Sequence, residues 1–148
     1  MNRFIFPALI GIAFFSAEAL AQSPCQGSTR VNDLRDLLPG NTVCGTRGND
    51  SWQEQHRGSG TSGELWDYKR GPEDRVDPSK ELGTWAITQQ GQDYRRITYT
   101  YTAFGSPVSY TFEVHDLGNG SYNFCGAGQN AGSNVLGATI RDGVTSCN

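Results

Sequence analysis

Apolar and polar side chains alternate along much of this 148-residue chain, and this alternation limits its fold more than any other feature. The clearest case is residues 108–115, where every second residue is apolar, beginning with Val108. Successive side chains of a β-strand point to opposite faces, so this pattern predicts a strand with one buried face. Turn-forming residues separate such segments, and Asn119-Gly120 predicts a tight hairpin turn.

Eight segments read as strands and follow one another without intervening helices. They are residues 42–45, 51–57, 64–69, 82–89, 94–104, 108–115, 121–125 and 134–140. Because strands do not alternate with helices, a parallel α/β sheet is excluded and an antiparallel all-β domain is favoured. Eight strands predict a closed barrel, which leaves no exposed sheet edge. A β-sandwich fits the same pattern and is the alternative.

A short N-terminal helix is predicted before the first strand, over residues 29–38. Val31, Leu34, Leu37 and Leu38 recur there at helical spacing, and Pro39-Gly40 must end the helix.

The first 21 residues have the features of an export signal. Arg3 gives a positive start, residues 4–15 form an apolar run, and Ala19-Leu20-Ala21 supplies a small-x-small cleavage pattern. The run is too short to span a membrane as a helix, which takes about 20 residues. We therefore predict a signal peptide over residues 1–21 and a single mature domain over 22–148. The mature chain is expected to have no membrane span and to be periplasmic or secreted.

Four cysteines, Cys25, Cys44, Cys125 and Cys147, lie in the predicted mature chain. An even number in an exported chain predicts two disulfides. Of the three pairings, we favour Cys25–Cys44 with Cys125–Cys147, because each would tie a terminal segment to a neighbouring strand. Pairing Cys44–Cys125 with Cys25–Cys147 is an alternative. No Cys-x-x-Cys spacing exists, which argues against structural zinc.

Charge and motifs exclude several functions. The chain has 12 Lys and Arg against 15 Asp and Glu, a net charge of −3, and nucleic-acid binding would need a basic patch instead. No phosphate loop, dinucleotide fingerprint or Gly-x-Ser-x-Gly elbow is present. We therefore expect a protein that is not an enzyme and has no cofactor.

Aromatic residues of the strands predict a ligand cup, since aromatic walls with a few polar groups are typical of small-molecule sites. The candidate lining is Trp52, Trp66, Tyr68 and Trp85, with Glu54 and His56 as the polar anchor. The predicted ligand is small and apolar or amphipathic. The same aromatic residues are also what the core of any small β domain contains.

A doubled Glu-x-His motif offers a second interpretation. Glu54 and His56 share one face of a strand, and so do Glu113 and His115. If the two strands met, the four side chains could form a metal site. Within either motif, the Glu could instead orient its His for acid–base chemistry. A solvent-exposed face is the simpler interpretation for Glu113 and His115.

A third interpretation is an envelope or inhibitor protein that binds a protein partner through its surface. Residues 67–81 are rich in charge and contain Pro72 and Pro78, which predicts an exposed loop, and in this interpretation the loop serves for recognition. Residues 97–104 carry no charge and could pair with another chain if they lay at a sheet edge. The oligomeric state is not predicted.

Several short motifs carry a resemblance to known groups. They are Leu37-Leu38-Pro39-Gly40-Asn41-Thr42-Val43-Cys44, Asp67-Tyr68-Lys69-Arg70-Gly71, Asp77-Pro78, Gly83-Thr84-Trp85 and Asn123-Phe124-Cys125-Gly126. Together they resemble a set found in small exported bacterial proteins of unassigned function. More distantly, a short helix leading into an eight-strand meander with Gly-x-Trp is similar to the lipocalin and calycin barrels. That resemblance implies a lipocalin-like barrel holding an apolar ligand, although lipocalins carry the Gly-x-Trp on the first strand and this chain on about the fourth.

Overall fold

The computed structural model describes residues 25–26, 28–47, 50–67, 80–103 and 105–147, apart from the side chains of 47, 50–52 and 67. Nine strands in these ranges form one antiparallel sheet. They are β1 (Thr29–Arg30), β2 (Thr42–Arg47), β3 (Asp50–Ser59), β4 (Ser62–Asp67), β5 (Lys80–Gln90), β6 (Asp93–Tyr101), β7 (Val108–Asp116), β8 (Ser121–Gly126) and β9 (Val135–Arg141). The predicted signal peptide over residues 1–21 lies outside the described residues.

The sheet closes into a barrel. Its order is β1-β7-β6-β5-β4-β3-β2-β9-β8, and β7 also pairs with β8, so strands β2 to β9 form a closed ring of eight. This confirms the predicted barrel over the sandwich. The short strand β1 is an addition to the ring and pairs with the end of β7, Thr29 opposite Asp116. Nowhere in the described ranges is a helix long and apolar enough to cross a membrane.

The predicted helix over residues 29–38 is wrong, because this segment forms strand β1 followed by a single turn. Leu38 N–H donates to the Leu34 carbonyl over 3.0 Å, but the neighbouring backbone groups bond to the barrel instead. Leu34 N–H donates to the Tyr94 carbonyl over 2.9 Å, and Gly40 N–H to the His56 carbonyl over 2.7 Å. Leu34 and Leu38 are fully buried. The helical spacing therefore reflects a turn that seals one end of the barrel with its two leucines.

The core fills the barrel above this seal. Its buried apolar members are Leu34, Leu38, Val43, Leu65, Trp85, Ile87, Ile97, Tyr99, Phe112, Val114, Phe124 and Ala138. The members on strands β5 to β7 face each other across the strand pairs, for example Ile87 opposite Ile97 and Ile97 opposite Phe112. The alternation in the sequence thus places one apolar face of each strand inside the ring.

The disulfides are Cys25–Cys125 and Cys44–Cys147, with Cα–Cα distances of 6.1 and 5.6 Å. Two disulfides are confirmed, but both pairings considered from the sequence are wrong. Closure of the ring is the reason. It makes the first strand of the ring, β2, a neighbour of the last, β9, so the tail after β9 reaches Cys44. At the other end of the chain, β1 lies beside β7, whose other neighbour β8 carries Cys125.

Candidate functional site

Leu34 and Leu38 seal one end of the barrel, and toward the other end the described inner side chains become exposed. Exposure rises along the inner face of β7, from 0% at Val114 and 7% at Phe112 to 38% at Tyr110 and 47% at Val108. Val114 lies near the leucine seal, since its carbonyl accepts a hydrogen bond from Val31 N–H over 2.8 Å. Side chains that face inward and yet reach solvent mark an opening. We call the region around Tyr101, Val108 and Tyr110 the mouth.

His56 lies deep in the barrel and is fully buried. Its Nε2 is hydrogen-bonded to the hydroxyl of Tyr99 over 2.9 Å, across the interior from β3 to β6. Burial lowers the pKa of His56 to about 4, so the ring is neutral at pH 7. Burial first, and the charge of Glu54 second, hold the pKa of Tyr99 well above its ordinary value. The pair is therefore a neutral hydrogen-bonded unit under the mouth.

Glu54 lies two residues nearer to the mouth on the same face of β3 and is 8% exposed. Its Oε1 accepts a hydrogen bond from the hydroxyl of Tyr101, again across the interior from β3 to β6. Strands β4 and β5 separate these two strands in the sheet, so both contacts bridge the barrel lumen. The structure thus brings Glu54 and His56 together with two tyrosines that the sequence analysis did not select.

The rings near the mouth form a continuous aromatic wall. Tyr99 is 5.9 Å from Phe112, Tyr101 is 6.0 Å from Tyr110, and Phe112 is 6.3 Å from Phe124, measured between ring centroids. Sequence reasoning missed Tyr101, Tyr110 and Phe112 as lining residues. Their alternation with polar residues is the sequence signal that could have identified them. It places all three on the apolar faces of β6 and β7, two strands that follow one another in the chain.

Trp85 is inside the barrel, within the packed core rather than at the mouth. Its indole N–H donates to the Arg57 carbonyl over 3.2 Å, and the side chain is almost fully buried. The ring packs on β3 and β4 where both strands carry glycine. A Cβ added at Gly63 would lie 2.8 Å from the indole, so the absence of a side chain there makes room for Trp85.

Trp66 lies on the outer surface of the barrel, so its predicted place in the interior lining is wrong. Its indole N–H donates to Glu64 over 2.9 Å, and the Arg57 guanidinium lies 3.9 Å from the ring centroid. The fully buried residue of this strand is Leu65, whose side chain points to the opposite face.

This placement gives a first prediction. Replacing Trp66→Phe should remove much of the indole fluorescence that acrylamide quenches, because the side chain is solvent-accessible, whereas Trp85→Phe should leave the quenched fraction intact. Loss of the Arg57–indole contact should lower the free energy of unfolding by about 1 kcal/mol or less. Quenching and urea unfolding of both variants measure these effects. A greater loss of quenching in the Trp85 variant would contradict the assignment.

The side chains of two predicted lining residues, Tyr68 and Trp52, are not among those that the structure describes. Tyr68 lies outside the described residues, and so does most of the charged segment over residues 67–81. Trp52 belongs to β3, opposite Gly45 of β2, but its side chain is not among those described.

The two Glu-x-His motifs do not converge. Glu54 and His56 point into the lumen, whereas Glu113 and His115 lie on the outer face of β7. Arg96 Nε donates to Glu113 over 3.0 Å, and His115 Nδ1 is hydrogen-bonded to the Ser28 hydroxyl over 3.1 Å. The barrel wall separates the motifs, so the metal site that would need all four side chains does not form.

Strand β6 is paired on both sides, by β5 and by β7. Residues 97–101 of the uncharged segment therefore do not form an exposed sheet edge.

Comparison with known proteins gives no relative from which to transfer a function. No protein-family model, no curated protein and no solved structure matches this chain. Any function must therefore be inferred from the barrel, its mouth and the residues that line it.

Proposed function

We propose that this is an exported, non-enzymatic binding protein that holds a small apolar or amphipathic ligand in the mouth of its barrel. The observation that carries the proposal is the exposure gradient along β7, from buried Val114 to exposed Val108. Large apolar side chains left in contact with water favour an occupant that covers them. The sealed half beneath gives such an occupant a rigid floor.

The chemistry of the lining supports this class of ligand. Tyr101, Tyr110 and Phe112 provide aromatic surface, while Glu54 and the Tyr101 hydroxyl provide polar groups at its inner limit. Mostly aromatic walls with few polar groups are typical of sites for small molecules. The two disulfides are consistent with an oxidising compartment, which supports a periplasmic or secreted location.

Binding of a neutral fluorescent naphthylamine probe tests the proposal. We expect saturable binding of one probe per chain, weakened about tenfold by Tyr110→Ser, since the lost ring would bury apolar area against the probe. The matched control is Ser109→Ala, the neighbouring residue, which hydrogen-bonds to Thr100 on the outer face. This control should bind like the unmodified protein.

Native mass spectrometry of the exported protein, compared with the denatured sample, reveals whether a ligand is already bound. A mass excess of a few hundred daltons that disappears on denaturation would support the proposal. Absence of bound mass, together with no saturable probe binding, would overturn it.

A further inference from the structure

Resting on the proposed function, we infer that the ligand of the mouth is an amphipathic organic ammonium, with its charged nitrogen near Glu54 and its apolar part against the tyrosine rings. This narrows the ligand from any apolar or amphipathic molecule to a cation.

The position of the Glu54 carboxylate is the first argument. It is nine-tenths buried, and it lies where the packed interior gives way to the mouth. Tyr101 donates a hydrogen bond to it, and it takes part in further interactions as well. A carboxylate at this position favours a cationic ligand group beside it over a neutral or anionic one. The charge of Glu54 acts within the lumen, since it contributes to raising the pKa of Tyr99.

The aromatic rings around this carboxylate are the second argument. Tyr101 is 6.5 Å from Tyr99 and 6.0 Å from Tyr110, measured between ring centroids. Three tyrosine rings of β6 and β7 therefore lie together on the wall from which Tyr101 reaches Glu54. The face of an aromatic ring carries negative potential and attracts quaternary and protonated ammonium groups. A carboxylate with tyrosine rings therefore favours a cationic ligand over a neutral one of equal size.

The described basic residues do not provide a matching site for an anion. Arg57 lies on the outer wall against Trp66, and Arg96 is hydrogen-bonded to Glu113 on the outer face of β6 and β7. Lys80, at the start of β5, is exposed. An exposed ammonium contributes little to the binding of an anion.

Three probes of equal chain length test the inference: decyltrimethylammonium, decanol and decanoate, each titrated by calorimetry below its micelle concentration. We expect the ammonium to bind about tenfold more tightly than the alcohol, and the carboxylate to bind most weakly. Glu54→Gln keeps an acceptor for the Tyr101 hydroxyl but removes the charge. It should reduce the ammonium preference to about threefold or less.

Glu113→Gln is the matched control, because it removes a carboxylate from the outer wall and should change none of the three affinities. Binding of all three probes without preference for the ammonium, or an ammonium preference that persists in Glu54→Gln, would overturn the inference and leave the proposed function standing. No binding of any probe would overturn both. Should Glu54→Gln fail to fold, the ranking of the probes on the unmodified protein decides the matter.

Discussion

Removal of either disulfide should lower the free energy of unfolding by about 4 kcal/mol. The two bridges join cysteines 100 and 103 positions apart and cross one another in sequence. With one bridge intact, the other still closes a loop of roughly 40 residues, for which the chain-entropy relation gives about 4 kcal/mol. Urea unfolding of Cys25→Ser/Cys125→Ser and of Cys44→Ser/Cys147→Ser measures each loss. Removal of both bridges should cost about 8 kcal/mol, which is comparable with the whole stability of a small domain.

The Cys44–Cys147 bridge also holds polar contacts that depend on the C-terminal tail. Gln53 accepts a hydrogen bond from Cys147 N–H over 2.8 Å, and the Thr42 hydroxyl donates to the Gly143 carbonyl over 2.8 Å. Gln53 and Thr42 are buried beneath this tail. Release of the tail should therefore expose the outer face of β2 and β3, and amide hydrogen exchange should increase there and not in β6.

A mixed variant distinguishes the pairings directly. Cys25→Ser/Cys44→Ser removes one partner from each bridge, so the denatured protein should contain two free thiols, at Cys125 and Cys147. Cys25→Ser/Cys125→Ser, its control, should contain none. If the first variant contained no free thiol, Cys125 and Cys147 would be bonded to each other and the pairing described here would be wrong.

The positions of the strands were predictable from the sequence, because alternation is a local property of each segment. Residues 108–115 matched strand β7, Val108–Asp116, within one residue. The pairing of distant segments is different, since it depends on how the sheet closes. Nothing near Cys44 indicates that β2 will lie beside β9, and the Cys44–Cys147 bridge follows from that contact.

Strand β4 shows why the site was predicted only in part. Its alternation allows either Leu65 or Trp66 to point inward, and the predicted lining includes Trp66. The structure instead buries Leu65, which pairs with His56, while Trp66 pairs with Gln55 on the outer face. Arg57 and Glu64 contact the indole of Trp66 on the outer face. These contacts reduce the apolar surface that Trp66 exposes to water, so its outward position destabilises the fold only slightly. Glu54 and His56 lie on the inner face of β3, hydrogen-bonded to Tyr101 and Tyr99, and their part in ligand binding stays a prediction.

Acidification should destabilise the protein through His56. Its pKa is about 4 in the folded protein, and an unfolded histidine has a pKa near 6.5. Between these values the unfolded state binds more protons, so stability falls as the pH is lowered from about 6.5 to about 4. The free energy of unfolding falls by about 3 kcal/mol over this whole range. Above pH 6.5, His56 causes no such loss of stability. The cause is burial, since a charged imidazolium beside Tyr99 and Trp85 would have no access to water.

His56→Gln isolates this contribution, because an amide can still hydrogen-bond to the Tyr99 hydroxyl but does not titrate. Carboxylates also titrate in this range, so the test is the difference between the two stability–pH curves and not either curve alone. His115→Gln removes the histidine of the outer wall and serves as the control. NMR of the unmodified protein supplies an independent readout, in which the His56 ring signals should not shift above pH 5. A ring that titrates near pH 6.5, or a His56→Gln curve parallel to that of the unmodified protein, would show that the lumen around His56 admits water and that the barrel is open far below its mouth.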